Sequence, residues 1–253
     1  MPLLCVAALV AVVAVAVAVL TQQGRTAAAE RPPAGRPAPG GPCAQVTAAY
    51  AEALRMPVTA GAPGLIVVLG DSYSQGHGVP GGRAGGFPAL LARDTGRPVH
   101  LDGYGSTGFT TRGYCSGRPV TYGERLLPDR LLALRPAALV VEGGVNDARH
   151  GDPRRVGTAA ADLLRRLAAV PQVIVVGPAA IPNADPARLA MVDDELAAAA
   201  RAAGRPYVDL RRYPLPMQPD GIHPTGAGQQ TIARLLTALL SGSPMSEDGG
   251  SRA

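Results

Sequence analysis

Hydrophobic and polar positions divide the chain into an apolar N-terminal run, a Pro/Gly-rich stretch, an alternating body and a polar tail. In the body, short β-branched runs alternate with segments whose apolar residues recur at helical spacing. "LIVVL" (65–69), "PVHL" (98–101), "AALVVEGG" (137–144), "QVIVVGP" (172–178) and "PYVDL" (206–210) predict five strands. Helices are predicted over 87–96, closed by Gly96, over 122–136, interrupted by Pro128, and over 156–170, 186–204 and 225–240. Strands that are apolar throughout are buried on both faces, and helical crossovers join such strands in parallel. The predicted fold is therefore α/β: a three-layer α/β/α sandwich around a five-stranded parallel sheet. Ligands of such sheets bind at the carboxyl ends of the strands, so the residues that follow each strand are where chemistry is expected.

The ends of the chain read differently. Leu3 to Leu20 is an unbroken apolar run. It is long for a signal core and at the lower edge of a membrane span. Residues 1–29 are read as a cleaved signal peptide or a retained anchor, with Ala27 and Ala29 framing a cleavage site. Arg25, Arg31 and Arg36 follow the run and no basic side chain precedes it, which opposes the usual charge rule for export. Export is still the expectation, because residues 30–63 begin with a Pro/Gly-rich tract suited to a spacer. Residues 64–241 form the expected α/β domain, and 242–253 a disordered tail. Beyond Cys5 in the apolar run, Cys43 and Cys115 are an even pair, which predicts a disulfide in an oxidising compartment; two free thiols are the other reading. The bridge would close a loop of about 70 residues and stabilise the fold by roughly 4 kcal/mol in the chain-entropy view.

Composition removes several function classes. Aromatic residues are 4% of the chain and Trp is absent, so the core must be built from Ala, Val and Leu. The chain has no Lys, which excludes a G-x-x-x-x-G-K phosphate loop. The net charge of +5 is spread over single Arg residues and short pairs, which gives nucleic-acid binding no support. No Cys/His cluster has metal-ligand spacing, so neither a metal nor a cofactor is expected. "GYGSTG" (103–108) matches G-x-G-x-x-G, and Glu124 lies where a ribose ligand would be sought. The context is wrong for a dinucleotide site, because the motif follows the second strand and the next residues are too Gly-rich to open a packed helix.

The post-strand segments hold a nucleophilic set. "GDSYSQGHG" follows the first predicted strand and carries Ser72; "GGVND" follows the third and carries Asn146; "DGIHP" follows the last and carries Asp220 and His223. A serine hydroxyl needs a base to take its proton, an imidazole does this near neutral pH, and a carboxylate fixes its tautomer. Asp71 and Asp147 are read as supports of turns or caps. His77 is read as a surface residue, with a pocket-lining role as the other reading, and His100 and His150 carry no signal.

"GDSYS", "GYGSTG", "GVND" and "DGIHP" resemble, in order, the four sequence blocks of the SGNH (GDSL-type) hydrolases. The resemblance spans roughly residues 64–241 and implies a flavodoxin-like fold and hydrolysis of esters, thioesters or acyl groups on sugars. It implies Ser72 as nucleophile, His223 as base, Asp220 as its partner, and an oxyanion hole made by Ser72, Gly105 and Asn146. One departure stands out: the second block usually begins with Asn, and Gly103 stands there. The expected function is an exported serine esterase acting on a small-molecule, lipid or acylated-carbohydrate ester. An acyltransferase or a deacetylase of cell-wall or polysaccharide acyl groups is the alternative. Acyl chain length is not written in the sequence.

Overall fold

A computed structural model describes residues 59–113, 120–125 and 130–242, with Ala44 and Ala48 as isolated residues. The apolar run 3–20, the cysteines of the expected disulfide and the tail from 243 lie outside the described residues. Among the described residues, no helix is long and apolar enough to cross a membrane.

Among the described residues, five strands form one sheet: β1 (Ile66–Gly70), β2 (Val99–Gly103), β3 (Ala138–Glu142), β4 (Gln172–Val176) and β5 (Tyr207–Val208). All pairings are parallel, in the order β2-β1-β3-β4-β5. This is the flavodoxin-like order. Every residue of β1 and β3 is buried, which is why their sequences do not alternate. Each buried Val, Leu or Ile side chain there contributes about 1.5–3 kcal/mol of apolar transfer.

Among the described residues, the helices from residue 59 on are α1 (Phe87–Thr95), α2 (Tyr122–Arg125), α3 (Arg130–Ala133), α4 (Val145–His150), α5 (Val156–Arg166), α6 (Pro186–Ala202) and α7 (Gly226–Leu240). α1 packs on α7, while α5 packs on α6. The strand order reverses at β1, and right-handed crossovers therefore send these two helix pairs to opposite faces. Gly96 closes α1 in the left-handed conformation, at φ 65°.

Three elements differ from expectation. The helix expected over 122–136 is represented by the short α2 and α3, with residues 126–129 outside the described set. β5 has two residues rather than five, and Pro206, which lacks an N–H, immediately precedes it. α4 was not anticipated, because six residues are too few to show a period. Gly144 makes it possible. Its φ is 114°, and a Cβ there would sit 3.0 Å from Val192 of α6. Glycine thus lets the chain turn directly from β3 into α4 and places Asn146 in the first turn.

Candidate active site

The turn that presents Ser72 leaves β1 at Gly70, where a Cβ would fall 1.9 Å from the Ser74 hydroxyl. Asp71 is buried beneath the turn and braces it. Its Oδ1 accepts the Tyr73 N–H at 2.9 Å, and its Oδ2 accepts the Asn146 side-chain amide at 2.9 Å. Ser72 is left half-buried, with its hydroxyl facing the segment before α7.

That segment carries the imidazole and a carboxylate on one tight turn. Asp220 Oδ1 accepts the backbone N–H groups of Ile222 and His223 at 2.8 and 3.0 Å. Its Oδ2 lies 2.6 Å from His223 Nδ1, and His223 Nε2 lies 2.9 Å from Ser72 Oγ. Burial opposes the Asp220 charge, but the His223 N–H, its ring and the Ile222 N–H outweigh it and hold the carboxyl at about 2. An ionised carboxylate only accepts, so Nδ1 carries the imidazole proton. Nε2 is then free to accept from Ser72. Burial lowers the proton affinity of His223 below that of an ordinary imidazole; Asp220 opposes this, while His77 and Arg149 add to it. The base is neutral at pH 7, as attack by serine requires.

Three side chains tie the two turns together across most of the sequence. Tyr73 Oη donates to the Ile222 carbonyl at 2.6 Å. Gln218 Nε2 donates to the carbonyls of His77 and Pro224 at 2.8 and 2.9 Å. Gln229 Nε2 donates to the Tyr73 carbonyl at 3.1 Å, while its Oε1 accepts the Phe87 N–H at 2.8 Å. The sequence reading named none of the three. A contact between residues about 150 positions apart leaves no local trace, and Gln218 lies in no recognisable pattern.

The opposite wall is buried and acidic. Asn146 is 7% exposed, and its amide donates to Asp71 and, at 3.0 Å, to the Thr107 carbonyl. Gly105, which the resemblance implies as the third donor, has its N–H bonded to Gln75 Oε1 at 3.0 Å. The backbone group that Asn146 touches in this loop is the Thr107 carbonyl, and the next N–H, of Gly108, donates to the Thr111 carbonyl at 2.8 Å. Gly103 has a packing reason. A Cβ there would meet Leu101 at 3.0 Å and both Ser74 and Gln75 at 3.3 Å.

Asp147 accepts five bonds from the 109–111 segment: the N–H groups of Phe109, Thr110 and Thr111 and both threonine hydroxyls. Glu142, at the end of β3, accepts the Ser74 hydroxyl at 2.6 Å. Burial pushes its carboxyl up to about 7, against the Ser74 hydroxyl, the N–H groups of Asp71 and Ser74, and Arg125. Asp71 is pushed up by burial and then by the Glu142 charge. The Arg125 guanidinium, itself buried, bonds the Gly70 carbonyl at 2.7 Å and the Asp102 carboxylate at 3.1 Å. Glu124 accepts the Thr121 N–H and pairs with Arg112 at 2.6 Å, so its charge is already engaged in local structure. A cavity of about 480 Å³ lies between this loop and α5, lined by Thr110, Arg112, Thr121, Arg155 and Thr158 among others. None of Ser72, Asp220 and His223 lines it. Among the described residues, no three His, Cys, Asp or Glu side chains are grouped to hold a metal.

A parallel α/β sheet whose carboxyl edge carries a hydroxyl, an imidazole and a carboxylate in one hydrogen-bonded chain has the equipment of a serine hydrolase. The profile of the GDSL-like lipase/acylhydrolase family matches residues 68–231. The chain belongs to this family, the SGNH hydrolases, and is a carboxylic ester hydrolase. No curated protein matches it. Among solved structures it is similar to a lipase/acylhydrolase from Enterococcus faecalis, with TM-score 0.59 and 20% identity over 70% of this chain and 95% of that one. An aryl esterase from M. smegmatis gives 0.58 and 18% over 71% and 99%. A carbohydrate acetylesterase family member from Sinorhizobium meliloti gives 0.58 and 16% over 70% and 99%. At these identities the likeness establishes a shared fold.

Proposed function

We propose that the chain is an exported serine esterase in which Ser72 attacks the ester, His223 moves the proton and Asp220 orients the imidazole. The observation that carries this reading is the continuous chain Ser72 Oγ–His223 Nε2 and His223 Nδ1–Asp220 Oδ2, at 2.9 and 2.6 Å. Ser72 Oγ bonds the acyl carbon as its proton passes to Nε2. The bond from that carbon to the alcohol oxygen then breaks, and the imidazolium returns the proton to the leaving alkoxide. Water, deprotonated by the same imidazole, cleaves the acyl-enzyme and restores the serine. Asp220 stays ionised throughout.

The oxyanion donors we assign are the Ser72 N–H and the Asn146 amide. At rest one amide proton serves the Thr107 carbonyl, so the substrate oxygen competes with that carbonyl. Gly105 joins the set when Gln75 releases its N–H. Export rests on the apolar run 3–20 and the Pro/Gly-rich tract that follows it.

A second reading is deacetylation of a carbohydrate, favoured by the fold shared with carbohydrate acetylesterases from Sinorhizobium meliloti. A fluorophosphonate probe should label the wild type and not Ser72→Ala. Equal labelling of the two, or of neither, defeats the serine esterase reading. Nitrophenyl esters of increasing chain length, beside acetylated sugars, then decide the substrate. Acyl transfer to an added sugar alcohol in place of water would mark a transferase.

A further inference from the structure

We propose that His77 is a positioning residue for His223: its imidazole packs on the base and sets both the orientation and the basicity of that ring. The inference rests on the Ser72–His223 reading of the site. The two ring centroids are 4.5 Å apart and the planes are tilted by 49°. This contact is built from both sides. The His77 N–H donates to the Ser72 carbonyl at 3.1 Å, so the ring is carried on the nucleophile turn. The His77 carbonyl accepts Gln218 Nε2 at 2.8 Å, and the Gln218 N–H donates to the His223 carbonyl at 2.8 Å. Gln218 therefore joins the backbones of the two histidines while their rings touch. Gly78 leaves the room for this, since a Cβ there would fall 2.2 Å from Gln218 Oε1.

The packing has an electrostatic consequence. Asp220 reaches His223 from its own turn, Ser72 and the Tyr73 ring from the nucleophile turn, and the Arg149 charge from α4. Asp220 favours the imidazolium, while His77 and Arg149 disfavour it. The His77 contact thus adds to burial in holding the proton affinity of His223 down.

The test follows the ring protons of the full chain by NMR during a pH titration, beside kcat and KM. The chain has four histidines, and His223→Gln assigns the signal. In His77→Gln the neighbouring imidazole is gone, so the His223 midpoint should rise and the acid limb of kcat/KM should move to higher pH with it. His77→Ala should lower kcat more than it changes KM, and His77→Phe should recover kcat by restoring a ring. An unmoved His223 midpoint in His77→Gln, or a wild-type kcat in His77→Ala, overturns the proposal. The titration needs no turnover. A shifted midpoint in a chain without Ser72-dependent hydrolysis would sink the esterase reading and leave the histidine contact standing.

Discussion

The two walls of the site are built by opposite means. The base wall is half-exposed and held by side chains that reach across the sequence to backbone carbonyls: Tyr73 to Ile222, Gln218 to His77, and Gln229 to Tyr73. The proposed oxyanion wall is buried, and Asp71, Glu142 and Asp147 lie within it at 1% exposure or less. The first arrangement fixes distances; the second fixes charges. A proton relay needs a hydroxyl and an imidazole within hydrogen-bond reach, with water able to enter for deacylation. An oxyanion hole needs donors whose orientation does not relax, and Asp71 and the Thr107 carbonyl hold the Asn146 amide in one orientation.

Removing the relay should have the largest effect. Ser72→Ala or His223→Ala should lower kcat by about 10⁴-fold or more while thermal unfolding stays near wild type. Both side chains sit on turns that other residues hold in place. Residual activity close to wild type would mean that another group attacks the ester.

Asn146→Ala probes the other wall. A single oxyanion donor is worth about 10²- to 10³-fold in kcat. KM should change little if the bond is made mainly in the transition state. The same substitution removes a partner of Asp71, so urea melts must accompany the kinetics. A rate loss explained by unfolding would make Asn146 a structural residue.

In both walls the residue types were legible in the sequence and the contacts were not. Ser72, Asn146, Asp220 and His223 stand out because each follows a strand or opens the last helix, and short motifs mark them. The sheet was legible because five buried apolar runs alternate with helical segments. The contacts that set the geometry were not. The resemblance places Gly105 in the oxyanion hole, but nothing in the sequence shows that Gln75, thirty residues earlier, accepts its N–H. Pattern can place a glycine in a loop; it does not say what lies opposite its amide. His77 reads as a surface residue because nothing local shows that Gln218 draws its backbone toward His223.

Asp147 tests whether the oxyanion wall is held by its acceptors. Asp147→Ala leaves the N–H groups of Phe109, Thr110 and Thr111 without their acceptor. Each such loss costs about 1–3 kcal/mol when buried, and partial hydration of the threonines brings the expected total to about 3 kcal/mol. Urea unfolding measures it. Because the residue touches the loop rather than the reacting atoms, kcat at low temperature should fall less than in Asn146→Ala. The reverse ranking would give Asp147 a direct catalytic part.

The smallest expected effect lies in how stability depends on pH, and here the carboxylates of the two walls have opposite signs. Asp220 is held at about 2, below its ordinary 3.8, so its contribution is present above 3.8 and is lost as pH falls toward 2. Glu142 is raised to about 7, above its ordinary 4.5. Its contribution is complete below 4.5, where folded and unfolded chains both hold the proton. Between 4.5 and about 7 the unfolded chain ionises first, so stability declines as pH rises and levels off above that window. Glu142→Gln keeps an oxygen for the Ser74 hydroxyl and removes the titration. The variant should therefore lose less stability than the wild type between pH 5 and pH 8, as read from urea midpoints at the two values. Asp71 is raised by burial as well, so a residual slope should survive. Parallel wild-type and variant profiles would mean that Glu142 is ionised throughout, with Arg125 and the Ser74 hydroxyl outweighing its burial.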